Sequence, residues 1–198
     1  MKNYLLLLFI IPFLSKAQEC HKNTAIKFQY ELNEEYADEE NSPLLEEDFK
    51  SFKALDFYPI DLDFCTQAKL VRTPDEKPFE MPTTTKRMAR YKKYGELHFT
   101  LKGEEFKLNV YQNLDMIKIE QYKNALFLPF TDLTSGNGSY GGGRYIDLKI
   151  PKDDIIMLDF NTAYNPYCAY NPKYSCPIPP KENDLDIEIK AGVKEFYK

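Results

Sequence analysis

The sequence predicts a mainly β fold, an antiparallel β-sandwich or a partly closed barrel carrying one short N-terminal helix. Three observations lead there. Beyond Asp56 the dominant hydrophobic period is two. Apolar alternation on both sides of Lys102-Gly103 reads as a hairpin. Many short strand-like runs stand against a single amphipathic helix pattern, a combination that packs as sheet on sheet or as one sheet curling on itself. The chain has 198 residues, 43% hydrophobic and 15% aromatic, enough to build one core and to exclude wholesale disorder.

The chain opens with the three parts of an export signal. Lys2 is the positive n-region, Tyr4 to Leu14 the apolar h-region, and Ser15-Lys16-Ala17 the small-residue site that predicts cleavage before Gln18. The apolar run is too short to cross a bilayer. Gln18-Glu19 ahead of Cys20 do not make a lipid-attachment site. The expectation is a periplasmic or secreted protein with no membrane insertion after signal cleavage. Loss of residues 1–17 removes Lys2 and Lys16 and no acid, moving the formal charge from −5 to −7. Such a charge, with no clustered basic face, excludes nucleic acid as a partner.

Residues 18–48 read as an acidic, poorly ordered segment, followed by a single β-rich domain over 49–198. From Glu31 to Asp48 there are nine acids and no Lys or Arg, which resists compaction. At the end of that run Leu44, Leu45, Phe49 and Phe52 recur at helical spacing. Ser42 as N-cap, Pro43 at N1 and acids in the first turn predict a helix over about Pro43 to Leu55.

Strands follow at Ala68 to Arg72, Glu96 to Leu101, Phe106 to Val110, Ala125 to Phe130, Tyr145 to Ile150, Ile155 to Phe160 and Leu185 to Ile189. His98 alternates with Leu97, Phe99 and Leu101 and is expected to face away from the core. Ile155 to Leu158 lacks alternation, which predicts cover on both faces. The basic stretch Lys86 to Lys93 reads as a solvated strand or loop edge.

Four cysteines in an exported chain allow up to two disulfides and three connectivities. Cys168 with Cys176 is the favoured pair, because the proline-dense segment around them can form neither helix nor central strand and would gain from a covalent staple. The pairing of Cys20 and Cys65 is left open. With only His21 and His98 beside the cysteines, no zinc spacing is present, and the acidic run lacks a calcium-loop pattern. No metal and no cofactor is expected.

Five of the eight glycines fall between Gly136 and Gly143, a loop able to take positive φ. It carries no nucleotide-binding motif. Asn161, Asn165 and Asn171 are turn formers, and six tyrosines lie between Tyr140 and Tyr174, an amphipathic surface suited to sugar or peptide stacking.

These segments carry a resemblance. Leu128-Pro129-Phe130-Thr131-Asp132-Leu133-Thr134-Ser135-Gly136, Tyr140-Gly141-Gly142-Gly143-Arg144-Tyr145, Leu158-Asp159-Phe160-Asn161 with Ala163-Tyr164-Asn165-Pro166, and Cys176-Pro177 with Pro179-Pro180 and Asn183 resemble the domain-of-unknown-function family 1684, in its exported bacterial form. Ser139 and Val193 stand where the family pattern has Thr and Glu. The resemblance implies a domain and a motif set but no mechanism.

Asp132, Arg144 and Asp159 each fall at a strand end, so an arginine held by bidentate bonds between two carboxylates is expected at one end of the sheet. Asn161, Asn165 and Asn183 would satisfy the remaining lone pairs, with Tyr140 and Tyr164 at the rim. The same set reads as a structural lock or as a ligand pocket. Three functions follow: a non-enzymatic extracytoplasmic binding module for a polar small molecule such as a glycan or cell-wall fragment, a hydrolase with Asp132 and Asp159 as paired carboxylates, or a structural interaction protein. No catalytic residue is assigned.

Overall fold

The structure is a computed structural model that describes residues 20–196, so the export signal and the expected mature N-terminus at Gln18 lie outside the described residues. Its centre is one curved sheet, a half-barrel. In sequence order the strands are β1 (Cys65–Arg72), β2 (Phe79–Pro82), β3 (Met88–Leu101), β4 (Glu104–Asn113), β5 (Ala125–Asp132), β6 (Arg144–Lys149), β7 (Ile155–Asp159) and β8 (Asp184–Leu185). They are ordered β6-β5-β4-β3-β1-β7, with β2 added to β3 and β8 to β5. All pairs are antiparallel except β5 with β8. The sheet does not close.

The hairpin forms where the alternation placed it. Lys102 and Gly103, both at positive φ, make the turn, and Phe99 lies opposite Phe106. Leu97, Phe99, Leu101, Leu108 and Val110 enter the core inside the curve, and His98 points out. Curvature has a residue-level cause in β3. The ladder to β4 slips between Lys93 and Gly95, and a side chain at Gly95 would meet the Val71 carbonyl oxygen at 2.6 Å. The bulge bends the strand, and only glycine lets β1 approach there.

Four expectations change. The acidic segment is an ordered helix, α1 (Lys22–Ala37), because its acids occupy the outer face while Ala25, Leu32 and Tyr36 are buried. The second helix, α2 (Glu46–Ser51), starts later than expected; Ser42 instead donates to the Tyr36 carbonyl oxygen at 2.8 Å. Strand β7 is an edge strand, with Ile156 and Leu158 in the core and Ile155 and Met157 half-buried on the other face. The last strand shortens to β8, and its continuation binds the end of β5 through Leu133 N–H to the Ile187 carbonyl oxygen, 3.1 Å.

The disulfide is a further correction. Cys20 is bonded to Cys65, and Cys168 and Cys176 are thiols. The proline-dense segment is held by hydrogen bonds instead: Thr84 N–H donates to the Cys176 carbonyl oxygen at 2.9 Å, and Ile178 N–H to that of Pro82 at 2.9 Å. Backbone pairing to the β2–β3 connection thus replaces the staple.

Candidate functional site

Arg144 opens β6 in phase with Ile146, and both are buried, the arginine completely. Its Nη2 donates to Asp132 Oδ2 at 2.8 Å and to the Ile189 carbonyl oxygen at 2.8 Å, while Nη1 donates to the carbonyls of Ala191 and Val193. Alternate carbonyls of one extended segment therefore face one guanidinium. Asp132 Oδ1 accepts from the Thr134 hydroxyl at 2.6 Å and from the backbone N–H of Thr134 and Ile189. Gly143 makes the approach possible: at φ +86°, its added side chain would meet the Phe130 carbonyl oxygen at 2.5 Å.

The expected trio is a pair. Asp159 does not join Arg144; its Oδ1 accepts from Asn161 N–H at 3.0 Å and from Asn161 Nδ2 at 2.8 Å, starting the short 3-10 turn Phe160–Thr162. Asp132 and Asp159 are both buried and engaged in these bonds. Each carboxylate is thus spent on internal bonds, Asp132 on Arg144, Thr134 and Ile189 and Asp159 on Asn161. The other departures from the family pattern fit the lock: Ser139 Oγ lies 2.8 Å from Thr134 Oγ1, supplying the hydroxyl a Thr would, and Val193 contributes its carbonyl and a buried side chain.

The asparagines are backbone bridges. Asn161 donates from Nδ2 to the Asp61 carbonyl oxygen and accepts on Oδ1 from the Asp61 N–H. Asn165 Nδ2 donates to the Lys194 carbonyl oxygen at 2.8 Å. Asn183 reaches between β4 and β5, accepting from Asn109 N–H at 2.8 Å and donating to the carbonyls of Asn109 and Pro129. All three are fully buried, so they fix loops rather than meet a ligand.

A different face gathers polar groups that remain accessible. Asp147 lies on the outward side of β6, where Tyr164 Oη donates to its Oδ2 at 2.9 Å. Asp147 keeps solvent contact, yet burial among surrounding protein atoms raises its carboxyl above the ordinary range; the Tyr164 bond opposes this and nearby Glu35 adds to it. Beside it, Tyr167 donates to Glu35 on α1 and packs against Tyr174 with ring centres 5.1 Å apart. Burial, then Asp147, raises the Tyr164 phenol well above its usual value. Tyr140 is half-buried with its hydroxyl 4.0 Å from Cys168 Sγ.

Of the side chains singled out in the sequence, Tyr164 belongs to this face, together with Tyr167 and Tyr174 from the tyrosine-rich run. Asp147 and Glu35 escaped because each reads as an ordinary outward charge on its own element. Only the docking of α1 against the Tyr164–Tyr167 segment brings them together.

A family model described as "Protein of unknown function (DUF1684)" matches residues 50–194. The solution NMR structure of an uncharacterized protein from Haloarcula marismortui is similar at 32% identity and a TM-score of 0.68, covering 87% of this chain and 92% of that one. A search of curated proteins found no match.

Proposed function

The chain belongs to the DUF1684 family of proteins of unknown function, and we propose that within it this protein is an exported, non-enzymatic module binding a polar ligand, a glycan or cell-wall fragment, outside the cytoplasm. The observation that carries this reading is the pairing of the solvent-exposed Asp147 with Tyr164 beside Tyr167, Tyr174 and Glu35. Sugars present hydroxyl donors to carboxylates and C–H faces to aromatic rings, and both are offered here side by side. Export is supported by the n-, h- and c-regions at the start of the chain and by the Cys20–Cys65 disulfide, a bond that persists in oxidising compartments.

Calorimetric titration with soluble peptidoglycan fragments and N-acetylglucosamine oligomers tests it. Binding is expected, weakened about tenfold or more in Asp147→Asn and Tyr164→Phe, the loss of one charge-assisted hydrogen bond. No binding of either probe class by the wild type rejects the reading. Unchanged affinity in both variants moves the site elsewhere, and recovery of shortened oligomers replaces the module with a hydrolase.

A further inference from the structure

In the turn that follows Tyr167, two thiols meet without being bonded. Cys168 sits half-buried in the 3-10 turn Tyr167–Ala169, and Cys176 lies beneath it at 7% exposure. Cys168 N–H donates to Cys176 Sγ at 3.2 Å, so the second sulfur is already seated against the turn that carries the first. Thr84 holds the same corner by accepting from Cys176 N–H at 3.1 Å. The Tyr140 hydroxyl approaches Cys168 from the glycine loop. One thiol is reachable and surrounded by donors; the other is covered and adjacent.

We propose that Cys168 and Cys176 form a thiol–disulfide exchange site, in which Cys168 takes up one half of a small disulfide and Cys176 resolves it. The environment suits each to its part. The Cys176 thiol donates to Cys168 and brings it down to about 6, against the opposing effect of burial and with help from Thr84 and Tyr140. A thiol so placed is largely thiolate at neutral pH. The same hydrogen bond, then burial, raises Cys176 well above an ordinary thiol while Arg87 opposes. Cys176 therefore stays protonated until Cys168 is capped and its charge is gone.

The exchange balances with glutathione disulfide as co-reactant. The Cys168 thiolate attacks one glutathione sulfur; a Cys168–glutathione bond forms, the glutathione S–S bond breaks, and one glutathione leaves as thiolate with the bonding electrons. That thiolate, or solvent, takes the Cys176 proton. Cys176 then attacks the Cys168 sulfur, forming the Cys168–Cys176 bond and expelling the second glutathione. The protein is oxidised by two electrons and the glutathione disulfide is reduced to two thiols. This pair is separate from Cys20–Cys65, which joins α1 to β1.

The test uses the full chain with both thiols free, incubated with glutathione disulfide near pH 7 and mapped by mass spectrometry. Wild type is expected to end with a Cys168–Cys176 bond and no adduct, reversed by dithiothreitol without unfolding. Cys176→Ser should stop with one glutathione on Cys168, and Cys168→Ser should leave Cys176 unmodified. A second measurement needs no variant: iodoacetamide should alkylate Cys168 about tenfold faster than Cys176 in the folded wild type. Equal alkylation of both thiols, failure of either to react with glutathione disulfide, or a bond that dithiothreitol reduces only on unfolding would overturn the proposal.

Discussion

Arg144 shows how a single charge can be buried against protein partners. Its side chain has no solvent exposure, and it is met by one carboxylate and three backbone carbonyls. Removing it leaves Asp132 charged at 1% exposure with no counter-charge. Arg144→Ala is expected to destabilise by about 3–5 kcal/mol. Arg144→Lys should recover only part of that loss, since an ammonium cannot reproduce the planar fork that serves Asp132 and the C-terminal segment together. Urea midpoints of the two variants check this, and an unchanged midpoint in Arg144→Ala would remove the structural role. In the sequence, the phase of Arg144 with Ile146 already pointed it inward. The need for a nearby acid was equally plain. Which acid, and that carbonyls of residues 189, 191 and 193 would complete the shell, had no signature, because a carbonyl belongs to every residue.

At the scale of elements, the least regular join is between β4 and β5. The two strands pair only at Tyr111 and Phe127 before diverging, and Pro129 has no N–H to offer a ladder. The Asn183 side chain fills the gap with one acceptor and two donated bonds to main chain. Asn183→Ala would orphan those buried groups and is expected to cost about 2–3 kcal/mol. In that variant, hydrogen exchange should quicken at the Asn109 N–H, which donates to Asn183, relative to the amides that pair β3 with β4; equal protection of both would show that Asn183 does not hold the join. The hairpin itself was legible because alternation, turn residues and burial agree from Glu96 to Leu108, and Asn109 departs from the alternation because its outward face is covered by Asn183. Strand β2 escaped, having only Phe79-Glu80-Met81 before a proline and one buried side chain. Helix α1 escaped for the opposite reason: its acids dominate the composition, although Ala25, Phe28, Leu32 and Tyr36 follow the spacing of one helical face.

For the whole molecule, the question is what keeps α1 on the half-barrel. The helix begins ahead of the family-matched span of residues 50–194. It packs through Leu32 and Tyr36 into a second hydrophobic cluster with Leu44, Leu55, Tyr170 and Val193, distinct from the core inside the sheet. Among the described residues its side-chain ties to the half-barrel include Gln29 Nε2 to the Asn161 carbonyl oxygen at 3.4 Å, Leu55 N–H to Asn33 Oδ1 at 2.7 Å, and Tyr167 to Glu35. The Cys20–Cys65 bond adds a covalent tether across 45 residues of sequence, fixing the helix start to the first residue of β1. That pairing was not legible, since four cysteines allow three connectivities and only the docking of α1 selects this one. Cross-linking a loop of this length chiefly restricts the unfolded chain, so Cys20→Ser with Cys65→Ser is expected to lower stability by about 2–4 kcal/mol. The loss should also be local. With the tether gone, α1 depends on its cluster alone, and limited trypsin digestion should cut at Lys22 and Lys27 well before any site in the half-barrel. Because α1 supplies Glu35 beside Asp147, the same double variant should weaken peptidoglycan-fragment binding without touching a side chain of that face. Unchanged trypsin protection of α1 together with an unchanged urea midpoint would mean that the cluster suffices and the disulfide is not what holds the helix in place.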